Sequence, residues 1–417
     1  MSNLDWIDHT RLKVNYTGEG RPLFELALKT TFLTIITLGI YRFWAKTRLR
    51  RFYWSAIRPG GHPFEYSGTG IEKLLGFLIA VAFLALYLGF FNSVLIFTGL
   101  VAWPFGNGDT GFDEVTLNLM LNLSFLAILP MIFYAQYRGR RYMLSRTRWR
   151  GIRFGAEQAA WGFVWRALGH TFLTVITLGI LLPRQTWYLE KYMYDRTWYG
   201  DAKFEMGGRW QDLWPATFHV IYSVLILVGG GILLVTGLTG LAIIGGIALV
   251  VGYIWLIFGL IHYAVKSFSI MATQKSLNGE VLFVSEPRTG KVIGQTLLGN
   301  FIASTIASLG VAIIVAILAV IARVTGMMDI VDLTDPTAFD GLATTGGIIT
   351  IVILYVLFFA FFVALTQVFV TQPILEHYAS QTQIINPQAL DSILQRSQDD
   401  FAEAEGFAEA LDVGAAI

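Results

Sequence analysis

The distribution of charge along the chain constrains its fold more than any other feature. Five long stretches contain no Asp, Glu, Lys or Arg, and each is long enough to cross a bilayer, since a spanning helix needs about 20 apolar residues. The stretches are Leu74–Gly108, Val115–Tyr137, Leu213–Val265, Val292–Ala322 and Gly341–Leu375. Only 14% of the residues are charged, against about 25% in soluble proteins. The sequence therefore predicts a polytopic membrane protein.

Six hydrophobic spans, arranged as three hairpins, follow from these stretches. They are Leu74–Trp103, Val115–Tyr137, Leu213–Thr236, Leu241–His262, Val292–Ala322 and Thr345–Val370. The connectors Arg42–Lys73 and Arg138–Arg166 hold seven Lys or Arg and eight Arg, whereas the loops Trp103–Glu114 and Arg323–Thr344 are acidic. Because basic loops are retained in the cytoplasm, the basic connectors and both termini are predicted to be cytoplasmic.

Two shorter apolar segments, Thr30–Tyr41 and Ala167–Pro183, lie between connectors that the charge pattern puts on the same side. Apolar segments of this length are more often re-entrant or interfacial than spanning. We therefore predict two half-inserted helices. The alternative is two further crossings, eight in all, which would place Met1–Lys29 outside and carry five basic residues between Arg184 and Arg209 across the membrane.

An internal repeat is visible in these two short segments. Thr31–Ile40 recurs as Thr171–Ile180 at an offset of 140, with nine of ten residues identical. Repeats of this kind set the domain organisation. The predicted division is a cytoplasmic N-terminal segment (1–25), a first membrane repeat (26–163), a second membrane repeat with an additional helical hairpin (164–375), and an acidic cytoplasmic tail (376–417).

A glycine followed by alternating apolar residues recurs after several helix ends. Examples are Gly60–Tyr66, Gly200–Met206, Gly279–Val284, Trp149–Phe154 and Thr10–Gly18. Glycine suits a tight turn and the alternation suits a short strand. The sequence predicts small cytoplasmic β-hairpins, and leaves open whether they join in one sheet or lie as amphipathic turns on the lipid. The predicted fold class is an all-α polytopic membrane bundle of about six spanning helices and two short re-entrant or interfacial helices, with these hairpins attached.

The segment Thr37–Tyr41, the following Trp44 and arginine-rich helix, and Phe64–Gly70 together resemble the YjgN-like family of bacterial inner-membrane proteins, a domain of unknown function. The resemblance extends over roughly Thr10 to Leu375. The second copy departs from the pattern at Leu181–Pro183 and at Arg184, and the acidic tail lies outside it. The resemblance implies a multi-pass protein of the bacterial cytoplasmic membrane, and it implies no catalytic residue.

The sequence indicates no catalytic, cofactor-binding or metal-binding residue, and the absence of cysteine excludes thiol chemistry. His170, His219 and His262 lie in or beside apolar segments, where packing or interfacial roles are favoured over a proton relay. A further polar set is interpreted as hydrogen bonding between helices: Asn118, Asn122, Asn300, Ser304 and Thr305. Gly229–Gly231 and Gly245–Gly246 indicate close helix packing, with a broken-helix transporter site as the alternative.

Two arginine clusters interleaved with aromatic residues, Arg48/Arg50/Arg51 and Arg138/Arg140/Arg141, are predicted to contact anionic lipid headgroups rather than nucleic acid. The tail segment Asn386–Val413 begins with Asn386-Pro387, a pair that suits the N-cap and first position of a helix. Six apolar residues are predicted to line an amphipathic helix there: Leu390, Ile393, Leu394, Phe401, Phe407 and Leu411. This acidic tail is expected to dock on the basic loops or on a partner of unknown identity, or to remain solvated.

Three functions remain open at this point. Duplicated membrane halves are typical of a transporter or channel, although the predicted spans contain no carboxylate. A non-transporting scaffold that organises lipid is the alternative, favoured by the arginine and aromatic residues. We expect no enzymatic activity, because His, Asp and Glu do not cluster in the spans.

Overall fold

The computed structural model describes residues 11–99, 114–324 and 345–396. Within them, six helices are long and apolar enough to cross a membrane. These are Gly70–Phe97, Glu114–Ser145, Trp210–Val235, Thr239–Thr273, Thr289–Val320 and Ile348–Ser380. They coincide with the six spans predicted from the charge-free stretches. The loops predicted to be acidic, 103–113 and 325–344, lie outside the described residues.

The described helices number eleven. They are α1 (Gly20–Ile36), α2 (Arg42–Ala56), α3 (Gly70–Phe97), α4 (Glu114–Ser145), α5 (Ala160–Ile176), α6 (Leu182–Tyr194), α7 (Trp214–Val235), α8 (Thr239–Thr273), α9 (Thr289–Val324), α10 (Thr345–Thr366) and α11 (Gln372–Ser380). A π-helical turn, Gln367–Thr371, joins α10 to α11. Helix α3 begins at a capping box, in which Thr69 and Glu72 each satisfy a backbone amide of the other.

The described strands number ten. They are β1 (Arg11–Tyr16), β2 (Ile57–Pro59), β3 (Phe64–Tyr66), β4 (Thr147–Trp149), β5 (Ile152–Ala156), β6 (Thr197–Tyr199), β7 (Ala202–Met206), β8 (Lys275–Leu277), β9 (Val281–Ser285) and β10 (Thr382–Ile385). The chain divides into two compact units. The sheet unit comprises Met1–Val14, Arg58–Thr289 and Gln381–Ile417, and the helical unit comprises Asn15–Ile57 and Gly290–Ser380.

All ten strands join in one sheet, in the order β2-β1-β10-β9-β8-β7-β6-β5-β4-β3. Neighbouring strands run antiparallel. The two outermost strands, β2 and β3, are consecutive in the chain and are separated only by residues 60–63. The sheet is therefore nearly closed on itself.

The predicted all-α fold class is wrong because of this sheet. Three of the predicted hairpins are present, at Trp149–Phe154, Gly200–Met206 and Gly279–Val284, whereas at Gly60–Tyr66 the strands β2 and β3 do not pair with each other. Each strand has only three to six residues, and an isolated two-stranded hairpin is marginal in water. Pairing with the next hairpin supplies the missing hydrogen bonds, and that pairing joins segments far apart in the sequence. Thr10–Gly18 forms no hairpin of its own, because β1 pairs with β10 from near the other end of the chain.

Aromatic side chains fill one face of this sheet. Trp149, Tyr199 and Phe204 are buried there, and the ring of Phe154 lies 4.7 Å from that of Tyr199 and 6.3 Å from that of Phe204, measured between centroids. Such offset and tilted contacts add to the stabilisation from buried area. The interior face is thus a packed core.

The described part of the tail lies against this core, and the predicted helix Asn386–Val413 does not form there. Asn386 has a left-handed φ of 57°, a 3-10 helix covers only Pro387–Ser392, and residues 393–396 are not helical. Leu390 and Ile393 are only 4% and 7% exposed because they pack into the sheet core. Burial of these two side chains against the strands outweighs the local helical signal. Residues 397–417, with Phe401, Phe407 and Leu411, lie outside the described residues.

Polar contacts anchor the same segment to the turns of two hairpins. Arg150 pairs with Asp391 at 2.8 Å, and the backbone amide of Arg153 donates to Gln395 Oε1 at 2.8 Å. The amide of Asp201 donates to the Leu394 carbonyl at 2.9 Å, and the amide of Leu394 donates to Asp201 Oδ1 at 3.0 Å. Residues 386–396 therefore contact one of the basic loops, at Arg150 and Arg153, and also the turn at Asp201, which is not basic.

Candidate functional site

The two short apolar segments form helix–turn–helix hairpins, α1–α2 and α5–α6. Leu38 and Leu178 sit at the turns with left-handed φ values of 51° and 50°, a conformation that costs a non-glycine residue about 1 kcal/mol or more. Thr37 and Thr177 each accept, through Oγ1, the backbone amide four residues later. Neither hairpin contributes to the six candidate spans.

Large apolar side chains are exposed at both turns. Leu38 is 94% exposed and Leu178 is 63% exposed, and Ile36, Ile40 and Ile176 are exposed beside them. Burying one such side chain is worth about 1.5–3 kcal/mol, so a tip of several of them is unfavourable in water. These tips have the character of surfaces that insert into lipid.

Below the tip of α5–α6, five side chains form what we call the collar cluster. It consists of Arg166 and His170 on α5, and Arg184, Tyr188 and Tyr192 on α6. Arg184 Nη1 lies 3.3 Å from His170 Nδ1, and the His170 and Tyr188 rings stack with centroids 5.0 Å apart. Arg184 lies over Tyr188, and Arg166 lies over Tyr192 at 4.5 Å from the ring centroid.

The collar cluster carries positive charge that no described carboxylate pairs with. Arg166 donates only to the carbonyl of Gly162, its own helix neighbour, and Arg184 contacts His170 and Tyr188. Burial, followed by the charges of Arg184 and Arg166, lowers the pKa of His170. The histidine is therefore neutral at pH 7, and the cluster has a net charge of about +2. Such a cluster repels metal cations and attracts anions.

A second ionic cluster, which we call the brace, has the opposite character. Lys275 Nζ on β8 lies 2.8 Å from Glu190 Oε1 on α6, and Arg140 Nη1 on α4 lies 4.0 Å from Glu190 Oε2. Burial raises the pKa of Glu190, but the charges of Lys275 and Arg140 outweigh it and hold that pKa at about 2. Lys275 also lies 4.2 Å from the centre of the Tyr194 ring. The brace fixes α6 to the sheet.

A polar cleft of about 490 Å³ adjoins the brace and includes Lys191, Lys203 and Lys275 in its lining. Each of these lysines is paired with a carboxylate: Asp195, Glu157 and Glu190, respectively. Because its charges are balanced in this way, the cleft has no excess charge with which to hold an anion. It is a weaker candidate than the collar cluster.

The other histidines singled out in the sequence meet each other. The rings of His219 on α7 and His262 on α8 are 4.7 Å apart between centroids and lie edge to face, with Trp255 beside them. No group of three or more His, Cys, Asp or Glu capable of holding a metal occurs in the described residues. The contact joins two adjacent helices, as the packing interpretation expects.

The predicted polar links between helices are wrong for three of the residues proposed. Asn122, Asn300 and Ser304 each donate to a backbone carbonyl of their own helix. A polar side chain in lipid is satisfied at least cost by the carbonyl one turn earlier. Side-chain hydrogen bonds between α3 and α4 come from other residues: Ser124 Oγ donates to Asn92 Oδ1 at 3.1 Å, and Tyr87 Oη donates to the Ala127 carbonyl at 3.1 Å.

The glycines of the α7–α8 hairpin lie where these two continuous helices pack closely. Helices α7 and α8 run unbroken through Gly230 and Gly245. A Cβ on Gly245 would lie 2.7 Å from the carbonyl oxygen of Gly230, and one on Gly259 would lie 3.2 Å from the backbone of His219. These glycines therefore serve helix packing and form no broken-helix site.

The arginine clusters seen in the sequence have several separate roles. Arg48 lies over Tyr41 and Arg138 over Tyr134, whereas Arg140 belongs to the brace and Arg141 Nε donates to the carbonyl of Ala156. The collar cluster was missed by the sequence analysis, which treated Arg166 as a topology signal and Arg184 as a departure from the family pattern. The spacing of Arg166 and His170, one helical turn apart, was the available signal.

The chain is 28% identical over 189 residues to the inner membrane protein YjgN of Salmonella typhimurium, covering 44% of this chain and 40% of that protein. It is 28% and 27% identical over 164 residues to YjgN from two Escherichia coli strains, covering 39% of this chain and 36% of each. The matched segments thus span less than half the length of these relatives. No solved structure matches.

A family model described as a bacterial protein of unknown function, DUF898, matches residues 11–339, which is most of the chain. Together with the inner-membrane relatives and the six helices able to cross a bilayer, this match establishes what kind of protein the chain is. It is a multi-pass protein of the bacterial inner membrane and belongs to the DUF898 family.

Proposed function

We propose that this protein is a non-enzymatic membrane scaffold that organises lipid. Its two short hairpins insert their apolar tips into one leaflet, and cationic and aromatic side chains near the membrane surface hold anionic headgroups. The observation that carries the proposal is the pairing, on α5–α6, of an exposed apolar tip with the collar cluster below it.

The dimensions of α5–α6 support partial insertion. Arg166 precedes Leu178 by twelve residues, which corresponds to about 18 Å along a helix that rises about 1.5 Å per residue. Half of the hydrocarbon core is about 15 Å thick. A hairpin with Arg166 at the headgroups therefore places Leu178 near the bilayer midplane.

The packed interiors of the sheet unit support a scaffold over a conduit. The sheet core is filled by aromatic side chains and by Leu390 and Ile393. Between α7 and α8, glycine-mediated contact leaves no room for a solute. A transporter needs a polar path at membrane depth, and neither interior provides one.

The test of insertion uses the absence of cysteine from the chain. Spin labels are placed at Leu178→Cys and Leu38→Cys in lipid nanodiscs, with Ile247→Cys as a lipid-facing control and Glu280→Cys as a water-exposed control. Collision with oxygen and with a water-soluble nickel chelate reports depth. We expect both tip labels to resemble the label at position 247, and labels that resemble position 280 would refute insertion.

The organising activity itself is tested by the composition of the surrounding lipid. Extraction of the protein in polymer-bounded membrane discs captures its neighbouring lipids. We expect anionic phospholipid to be enriched at least twofold over the bulk membrane. A disc composition equal to that of the bulk would contradict the scaffold proposal.

A polar cluster in the helical unit favours a second candidate, a transporter. Tyr53 Oη donates to Gln367 Oε1 at 2.8 Å, at the start of the π-helical turn, and π-helical turns are frequent at functional sites. In the same unit, the side-chain oxygens of Gln295 on α9 and of Gln372, which directly follows that turn, are buried without a hydrogen-bond partner among the described residues. Metabolite uptake that depends on the protein and fails in Gln367→Leu, with lipid composition unchanged, would favour this candidate over the scaffold.

A further inference from the structure

We propose that the collar cluster of α5–α6 is a binding site for the phosphate of one anionic phospholipid, held between the guanidinium groups of Arg166 and Arg184. This inference rests on the proposed function and adds to it a defined site, a chemical group and a selectivity. A glycerol-type headgroup without an amine is the class of ligand that fits.

The two guanidinium groups stack on aromatic rings one helical turn apart on α6. That of Arg166 lies on Tyr192 beside the Gly162 carbonyl, and that of Arg184 lies on Tyr188 beside His170. Arg166 lies one helical turn before His170 on α5, and Arg184 reaches His170 Nδ1 from the other arm of the hairpin at 3.3 Å. Gln185 Nε2 donates to Thr171 Oγ1 at 2.9 Å at the same level and ties the two arms together. The relative positions of the two arginines are therefore fixed by the hairpin and do not depend on a ligand.

The donors of these arginines are largely unused. Each guanidinium has five N–H groups. Among the described residues, Arg166 donates one to the carbonyl of Gly162 and Arg184 directs one at His170. Arg166 is an exposed residue, and no nitrogen atom of the half-buried Arg184 is both buried and unsatisfied, so the remaining donors face the surroundings of the hairpin. The forked geometry of these donors matches the oxygens of a phosphate group.

The depth of the site identifies the phosphate as one that belongs to a lipid. Arg184 follows the tip residue Leu178 by six residues, or about 9 Å along a helix. With the tip near the midplane, its Cα lies about 6 Å inside the edge of the hydrocarbon core, given a half-thickness of about 15 Å, and the phosphates lie in the headgroup layer just outside that edge. A long arginine side chain spans such a gap by extending toward the headgroups. A soluble anion has no acyl chain to hold it at the membrane surface, so this depth favours the phosphate of a lipid.

Charge determines the selectivity. The cluster holds two positive guanidinium groups and no described carboxylate partner. A zwitterionic headgroup brings an ammonium group beside these two cations, which is unfavourable. A headgroup with phosphate alone neutralises part of the charge.

The first hairpin provides an internal comparison. At the offset of 140, Leu26, Thr30 and Trp44 occupy the positions of Arg166, His170 and Arg184. Hairpin α1–α2 has the same turn and an exposed tip but lacks these three groups. We therefore assign the phosphate site to α5–α6.

The experiment titrates the purified full-length chain in detergent with phosphatidylglycerol or phosphatidylethanolamine, and counts bound lipids by native mass spectrometry. Variants Arg184→Gln and Arg166→Gln are compared with Arg209→Gln, which removes the same charge from an exposed position. We expect the tightest phosphatidylglycerol site to weaken roughly tenfold or more in the first two variants, since each loses charge-assisted hydrogen bonds, and to be unchanged in Arg209→Gln. Arg184→Lys, which keeps the charge and loses the fork, should lie between.

Equal affinity of wild type and Arg184→Gln would overturn the site, as would equal affinity for the two lipids. Displacement of the lipid by inorganic phosphate at millimolar concentration would show a soluble anion as the ligand and overturn the lipid assignment. Each variant is first checked for the wild-type depth of a label at position 178, so that a misfolded hairpin is recognised. If tip insertion and anionic enrichment persist while this binding is unaffected, the site is wrong and the scaffold proposal stands.

Discussion

Substituting Gly245 by alanine tests how closely α7 and α8 approach. The added Cβ would lie 2.7 Å from the carbonyl oxygen of Gly230, 3.0 Å from Leu233 Cβ and 3.0 Å from the amide nitrogen of Leu234. Two of these three atoms belong to the backbone of α7, so no side-chain rotation relieves the clash. The helices must separate locally by about 0.7–1 Å to restore normal contact distances of about 3.5–4 Å.

The energetic cost follows from that separation. A gap of 0.5–1 Å forfeits about a quarter to a half of the dispersion energy of each affected contact, and overpacking typically costs about 1–3 kcal/mol. We expect Gly245→Ala to destabilise the protein by about 2 kcal/mol on this basis. Gly246→Ala is the matched control, because nothing lies within 4 Å of its added methyl. Its higher helix propensity should make it neutral or stabilising by up to about 1 kcal/mol.

The measurement is the midpoint of unfolding by sodium dodecyl sulfate in mixed micelles, followed by far-ultraviolet circular dichroism. The difference between the two variants removes effects of helix propensity that they share. Equal midpoints for Gly245→Ala and Gly246→Ala would refute the close approach of the two helices at Gly230.

Three further predictions concern the brace, the tip and the tail. Lys275→Met should lower the free energy of unfolding by about 3 kcal/mol, because it leaves Glu190 buried without its nearest positive charge, and adding Glu190→Leu should recover much of that loss in the same unfolding assay. The folded-state pKa of Glu190 is depressed to about 2. The stability that this carboxylate contributes in wild type is therefore fully present above its ordinary pKa and should be lost as pH falls from about 4.5 toward 2. Leu178→Asp should move the α5–α6 tip toward water, since a carboxylate at mid-bilayer costs about 2.5–3.5 kcal/mol. The water accessibility of a spin label at position 176 measures this movement. The control Leu394→Asp, at an exposed position of the tail, should leave the accessibility of that label unchanged. Leu390→Ala should destabilise the sheet unit by about 2–4 kcal/mol through loss of a buried side chain, and an unchanged unfolding midpoint would show that the tail does not contribute to the core.

The sequence predicted the features that depend on local composition. The six spanning helices follow from uncharged stretches because the preference for lipid adds residue by residue. The β-hairpins follow from period-two alternation after a glycine. Their union into one sheet was left open because strand pairing joins segments such as β1 and β10, which lie at opposite ends of the chain.

Other features depend on which residues meet in space. Asn386-Pro387 has the local character of a helix start, but packing of Leu390 into the sheet core prevails. Arg166 and Arg184 are eighteen positions apart in the sequence and become one site only through the turn at Leu178. In the sequence, each arginine alone indicates only the topology of the chain. The collar cluster could therefore be recognised only in the structure.

The position of β10 has a consequence for biosynthesis. This strand lies between β1 and β9 in the sheet, yet residues 382–385 are among the last described residues to leave the ribosome. Until then the nascent protein has an arc of seven strands, β3 to β9, and β1 paired only with β2. From the time each is made until β10 is made, β1 and β9 therefore each present an unsatisfied edge, and exposed edges invite pairing with other chains. Strand β10 follows the last spanning helix in the chain, and its pairing with β1 and β9 closes both open edges.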